Sequence, residues 1–403
     1  MKILQPSQEI GKVIPNIATM LRQNAKRFGT KTVYQERKGA QYEGISWNRF
    51  YENIQNIAWQ LRTLGFGKGN KMVLFSENRL EMLELALAVM ASGGIAVPIF
   101  YNFYPETAEL LIRHSDAEFL AVSGNVQLNR IDPGLPLKKI ITLDNLAGER
   151  FNNLVTFESL LGKMPEDGES PLHFDAKSND ICLNMYTSGT MGVPKCVQLT
   201  HRNILSQQAA LRILWNLGEN DRFLSYLPWH HSFGGIFELF TALSNGATYS
   251  LESSFGKVPK VIMENWLLIN PTVFFSVPKV YEALVELTRE SKEAEDAFFN
   301  SGLKFVFTAA APLPEKISDE FERRSIPVIE GWGLTETSPC CTLTDPALKR
   351  QPGVVGKPIP GVSVRIDEES EIQVKGPNVM VGYYKNDEAN AEAVAATVTA
   401  AER

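Results

Sequence analysis

Between two apolar runs, MYTSGTMGVPKCVQLT (185–200) gathers Thr187, Ser188, Gly189, Thr190, Gly192 and Lys195 into one short stretch. Hydroxyls, glycine backbone N–H groups and a cation at that density suit an anion with many oxygens, and polyphosphate is the chemistry they would serve. The spacing differs from the common phosphate loop. That pattern, GxxxxGK[ST], needs its lysine beside the second glycine and a helix directly after. Here Gly189 and Gly192 are too close, Pro194 precedes Lys195, and CVQLT reads as a strand. A hairpin-like loop between ICLNMY and CVQLT is therefore predicted, followed by a helix with Thr200 as its N-cap. The plainer alternative is a solvated Ser/Gly turn.

Three further stretches could act with it. GWGLTET (331–337) offers an indole face at Trp332 and a hard carboxylate oxygen at Glu336, suited to Mg²⁺. Gly331 and Gly333 would let the backbone approach a ligand. FTAAAPLP, from Phe307, puts small Ala309, Ala310 and Ala311 before Pro312, although alanine runs are usually core. LPWHHSFGG (227–235) carries two of the five histidines, with no further His or Cys at a spacing that would complete a metal site.

TSGTMGVPK, GWGLTET and EIQVKGPNVMVGYY (371–384) occur in this order and at broad spacings. Together they resemble the adenylate-forming superfamily of acyl-CoA synthetases, luciferases and peptide-synthetase adenylation domains, from about residue 20 onward. The resemblance implies that ATP is the nucleotide, Mg²⁺ its metal and CoA the co-substrate. It implies that Thr187, Ser188, Gly189, Thr190, Gly192 and Lys195 bind phosphate, and that Trp332 stacks on adenine. Ala309, Ala310, Ala311 and Pro312 would line the other adenine face, with Glu330, Gly331 and Gly333 also at the nucleotide. Thr335 would meet the α-phosphate, Glu336 the metal, and His231 would border the carboxylate substrate; Lys195, Thr335, Glu336 and His231 form the implied catalytic set. Met191 departs from the usual Thr or Ser and removes a hydroxyl. Cys196 replaces the usual Gly, which would slow closure of the loop.

The implied activity is that of an acid–thiol ligase that activates a carboxylic acid to acyl-AMP and passes it to CoA. SVPKVYEALVEL (276–287) resembles a segment of fatty acyl-CoA synthetases, which points to a medium- or long-chain fatty acid. It reads equally well as a strand end and helix start. The peptide-synthetase branch places an aspartate near the histidine segment, and none lies between Leu227 and Phe240. The apolar runs FGGIFELF and TVFFSV could line an acyl tunnel but read better as core. Other readings stay open: a fatty acyl-AMP ligase, a luciferase-like enzyme, or a non-catalytic nucleotide- or acyl-binding module. The family's ribose-binding aspartate, hinge and C-terminal lysine are expected beyond this chain, which reads as the large N-terminal domain and would turn over poorly alone.

The elements that must position these residues are alternating strands and helices. KMVLFS, the helical spacing of Leu80, Leu83, Leu85, Leu87 and Met90, and IAVPIF after Gly93–Gly94 make one βαβ piece. ETAELLIRHS with EFLAVS, VIMENWLLIN with TVFFSV, and ISDEFERRS with IPVIEGWG repeat the alternation. An α/β fold with two largely parallel α/β/α subdomains follows, at 1–180 and 181–350. From about Gly353 the short strands GVSVRID and EIQVKG predict a small β-rich, barrel-like unit over 351–403, with an alanine-rich helix at its end.

Composition fits this class. The 403 residues are 44% hydrophobic and 21% charged, and the net charge of −6 without a basic block gives no sign of a nucleic-acid partner, so none is expected. Four cysteines, Cys182, Cys196, Cys340 and Cys341, lack disulfide or CxxC spacing and suit a reduced, cytoplasmic protein. No transmembrane segment is expected, since LELALAVMASGG is broken by glycines and contains Glu84. That leaves peripheral membrane contact compatible with a fatty-acid enzyme, and the oligomeric state open.

Overall fold

The computed structural model describes residues 2–6, 8–146, 150–187, 194–299, 302–351 and 353–398. Contacts divide the chain into two compact units. One comprises 1–13, 30–46 and 206–379; the other comprises 14–29, 47–205 and 380–403. These do not coincide with consecutive blocks ending at 180 and 350. Strand pairing between segments far apart in sequence sets them: Thr32–Lys38 lies beside Thr248–Leu251, and Gly382–Tyr383 beside Lys195–Thr200.

The unit of 14–29, 47–205 and 380–403 holds an eight-stranded sheet. Its parallel part runs, in spatial order, Ile181–Thr187, Ile95–Ile99, Lys71–Phe75, Phe119–Val122, Lys139–Thr142 and Leu154–Thr156. IAVPI and FLAV are buried along their whole length, as strands covered on both faces must be. Helix Pro105–Ser115 lays Ala108, Leu111 and Ile112 against Val73, Phe75 and Val97. Helices Ile17–Phe28, Trp47–Thr63 and Leu80–Ala91 pack against one another.

Leu80–Ala91 carries an oddity. Glu84 is buried, with Asn53 Nδ2 donating to its Oε1 at 2.8 Å. Burial pushes its pKa up to about 8. Because the folded value lies above the unfolded one, the folded state favours the protonated carboxyl. Stability therefore falls as pH climbs from the ordinary glutamate value of 4.5 toward 8. Glu84→Gln keeps the Asn53 bond and offers an amide to the buried, unpartnered Asn53 Oδ1. Thermal unfolding should show E84Q several degrees more stable than wild type at pH 8 and nearly equal at pH 4.5.

The other unit holds a nine-stranded sheet. In spatial order its strands are Lys357–Pro358, Cys340–Leu343, Val328–Gly333, Phe305–Thr308, Val273–Ser276, Arg222–Ser225, Thr248–Leu251, Thr32–Lys38 and Gln41–Ser46. The six from Val328–Gly333 to Thr32–Lys38 are parallel, and the pairings outside them are antiparallel. One face is aromatic: Phe237, Phe275 and Phe307 meet with centroids 4.9–5.4 Å apart, and Phe305 lies 4.9 Å from Trp215. FGGIFELF and TVFFSV thus contribute mainly core, with Ile236, Phe237, Phe274 and Phe275 all buried. SVPKVYEALVEL is a strand end followed by helix Pro278–Glu290. The strands read after Gly353 form, with Lys2–Leu4, a three-stranded antiparallel sheet of Ser363–Ile366 and Ile372–Lys375. Among the described residues no helix is long and apolar enough to cross a membrane.

Candidate functional site

In the nine-stranded sheet, three loops leave the carboxyl ends of parallel strands: 226–232 after Arg222–Ser225, 309–314 after Phe305–Thr308, and 334–339 after Val328–Gly333. Ligands of open α/β sheets bind along that edge. The loops carry His231, Ala309 to Pro312, and Thr335 with Glu336; Trp332 lies on the last strand.

His231 is fixed by its own turn. Its N–H donates to Pro228 O at 3.1 Å, and its Nδ1 accepts from Phe233 N–H at 3.3 Å. With Nδ1 engaged, the neutral ring carries its proton on Nε2. Surrounding protein lowers its pKa through desolvation, and His230 is held at about 4 by burial and by His231. Trp229 is core, donating Nε1–H to Tyr249 OH at 2.9 Å. Both glycines of HHSFGG are forced by packing. A Cβ on Gly235 would lie 2.0 Å from Trp229 O, and one on Gly234 2.7 Å from Leu227 O. They begin a π-helical stretch, Phe233–Glu238. Ser232 Oγ lies 3.0 Å from Thr335 Oγ1, so the histidine turn and the LTET turn are joined directly.

Thr335–Thr337 is a single 3₁₀ turn, with Thr335 and Glu336 half-buried. Its exit is knotted from below. Asn378 Nδ2 donates to Thr337 O at 2.9 Å and to Cys340 O at 3.1 Å, and Ser338 Oγ donates to Asn378 O at 2.9 Å. Gln207 Oε1 accepts from Cys340 N–H at 2.7 Å. Asn378, of the GPN run, is thus a positioning residue that sequence reading left without a role. Trp332 is half-buried on its strand. Its flanking glycines serve packing rather than ligand approach: a Cβ on Gly331 would lie 2.8 Å from the Phe307 ring, and one on Gly333 1.7 Å from Pro339 O.

The alanine loop is not core. Ala310, Ala311 and Pro312 are exposed, Ala309 is half-buried, and Ala310 has φ +73°, in the left-handed region that few non-glycine residues adopt. Glu330, by contrast, is buried in a fork-like ion pair with Arg350, whose Nε lies 2.6 Å from Glu330 Oε2 and Nη2 2.9 Å from Oε1. Its carboxylate is committed to the protein, and Arg350 is a residue that no sequence signal marked. No group of three or more His, Cys, Asp or Glu among the described residues is arranged to hold a metal alone. A cation here would need ligand oxygens beside the Glu336 carboxylate, as Mg²⁺ does when it bridges phosphates.

In the eight-stranded sheet, Lys195 pairs with Thr187 in the antiparallel hairpin that the sequence predicts. Ser188, Gly189, Thr190, Met191 and Gly192 lie outside the described residues. The helix His201–Leu214 is capped as expected, Thr200 Oγ1 accepting from Asn203 N–H at 3.1 Å. Lys195 Nζ sits 5.1 Å from the Tyr383 ring centroid, a cation–π contact. Cys196 points the other way, buried toward Tyr186, and burial pushes its thiol up to about 12. Its side chain is therefore an inert part of the interior. The GYY run completes this edge. Tyr384 N–H donates to Cys196 O at 2.8 Å, and Tyr384 OH donates to Asp116 Oδ2 at 2.6 Å.

The pattern of AMP-binding enzymes matches residues 21–384. The chain is 25% identical over 449 residues to the human long-chain-fatty-acid–CoA ligase ACSBG2, covering 96% of this chain and 66% of that protein. It is 26% identical over 369 residues to 2-succinylbenzoate–CoA ligase of Oceanobacillus iheyensis, covering 89% and 71%. The chain thus spans about two thirds of the length of these curated relatives. The fold matches the long-chain-fatty-acid-CoA ligase FadD1 of Archaeoglobus fulgidus with a TM-score of 0.81, at 21% identity and over 97% of this chain and 80% of that one.

Proposed function

The chain belongs to the AMP-binding enzyme family, and from that premise we propose that it activates a carboxylic acid with ATP and transfers the acyl group to CoA. A fatty acid of medium or long chain is the substrate within this reading, supported by the SVPKVYEALVEL resemblance and by relatives named for such acids. Relatives also act on succinylbenzoate by name, so the test spans acids of different size. The observation that supports the reading most is the Ser232–Thr335 contact, which joins the histidine turn to the LTET turn.

A carboxylate oxygen attacks the α-phosphorus, the bond to pyrophosphate breaks, and a mixed acyl–phosphate anhydride remains. The CoA thiol, losing its proton, then attacks the acyl carbon, and AMP leaves with the bonding pair. Two anions must meet in the first step. Lys195 neutralises charge moving onto pyrophosphate, the loop hydroxyls donate hydrogen bonds to its oxygens, and neutral His231 donates Nε2–H to a substrate oxygen. Thr335 donates to the α-phosphate. Bound Mg²⁺, held by Glu336 and phosphate oxygens, would supply further neutralisation. Trp332 and the exposed Ala309–Pro312 loop border the base.

ATP–pyrophosphate exchange across carboxylates from acetate to palmitate, followed by thioester formation with CoA, tests this. We expect exchange to peak with a fatty acid and thioester to require CoA. Exchange without thioester would favour an acyl-AMP ligase. Absence of exchange together with tight AMP binding would leave a nucleotide-binding module.

A further inference from the structure

Resting on the nucleotide site just proposed, we infer that Arg350 and Glu330 are positioning residues that set affinity for the adenine base by clamping the Ala309–Pro312 loop. Arg350 reaches from the segment after Cys340–Leu343 and spends every guanidinium nitrogen on one small region. Nε and Nη2 hold the two Glu330 oxygens, Nη2 also donates to Leu313 O at 2.8 Å, and Nη1 donates to Ser318 Oγ at 3.0 Å. Leu313 N–H returns a bond to Glu330 Oε1 at 3.2 Å. The residue that ends the exposed loop is thus tied by its N–H to Glu330, on the strand bearing Trp332, and by its carbonyl to Arg350, which grips the same Glu330. At the other end of the loop, Tyr281 OH donates to Phe307 O at 2.8 Å.

Between those anchors lie small side chains that offer little to fix the loop themselves, and Ala310, at φ +73°, sits in the left-handed region that its Cβ disfavours. The anchoring pair is nearly dry: side-chain exposure is 10% for Arg350 and 8% for Glu330. Neither group reaches the loop's exposed face, so both act through Leu313. A planar fork is needed, because an ammonium cannot serve both carboxylate oxygens, the Leu313 carbonyl and Ser318 at once.

Calorimetric titration with AMP and, separately, with inorganic pyrophosphate tests this on wild type, Arg350→Lys, Glu330→Gln and the double variant, each checked for folding by circular dichroism. Both single variants should weaken AMP roughly tenfold or more while leaving pyrophosphate within about twofold, since only the base contacts the loop. The double variant should weaken AMP no further than the worse single one, as expected for two partners of one interaction. Equal AMP affinity in wild type and both variants, parallel loss of AMP and pyrophosphate, or additive losses would each overturn the clamp. Failure of wild type itself to bind AMP would overturn the nucleotide site and the clamp with it.

Discussion

Lys195→Met should lower ATP–pyrophosphate exchange by about 10²–10³-fold, the range found when one preorganised stabiliser of developing charge is removed. Lys195 stands at the start of an edge-proximal strand, in register with Thr187, where the hairpin leads into the hydroxyl-rich loop. Its ammonium is steadied over the Tyr383 ring, 5.1 Å from the centroid, a contact that leaves its charge uncancelled. Lys71, by contrast, is engaged by Tyr384 OH at 2.9 Å, beside Asp116, and Lys385 pairs with Asp116 at 2.6 Å. Of these three lysines, Lys195 is the one whose local arrangement suits a transient anion. Lys195→Arg should recover part of the rate, since charge is kept while its geometry changes. The unfolding midpoint of K195M should move little, because a half-buried lysine whose partner is a ring adds little to stability. A variant that keeps its exchange rate within threefold of wild type would remove Lys195 from the mechanism.

Local pattern and distant pairing were unequally legible in the sequence. Leu80 to Ala91 and the apolar runs KMVLF and IAVPI declare their periods, and the observed helix and strands follow them closely. The hairpin at 187–195 and the Thr200 cap were legible because turn and cap chemistry depend on residues within three or four positions. Unit boundaries were not. They depend on Thr32–Lys38 finding Thr248–Leu251, and nothing local in TVYQERK names that partner. The site divides the same way. His231, Thr335 and Glu336 were singled out by their motifs as candidates, but Ser232, which joins two of those motifs, was indistinguishable from any serine. Arg350 and Asn378 matter through contacts made 20 and 41 positions away, beyond any periodicity. The glycines misled for a related reason: spacing shows that a side chain is unwelcome, while only the fold shows whether a ligand or the protein's own backbone fills the space.

Gly333 gives that distinction its sharpest test. Gly333→Ala should abolish AMP binding and destabilise the unit that carries it by about 3 kcal/mol or more, as overpacking against a fixed backbone does. The new Cβ would stand 1.7 Å from Pro339 O and 2.7 Å from Pro339 C, so the main chain, not a flexible side chain, must give way. That carbonyl is already held, accepting from Leu334 N–H at 2.9 Å and from Thr337 Oγ1 at 2.7 Å. Moving it would pull on Cys340 and Ser338, and through them on the Asn378 and Gln207 bonds that fix the exit of the LTET turn. Thr335 would then lose its register with Ser232, and Glu336 would move with it. Gly218→Ala is the control: its Cβ would meet nothing within 4 Å, and the variant should unfold within about 0.5 kcal/mol of wild type. If glycine at 333 served only to admit a ligand, G333A would weaken AMP while unfolding like wild type. Coupled loss of stability and binding is what the packing demands, and denaturant titration with and without AMP reads both.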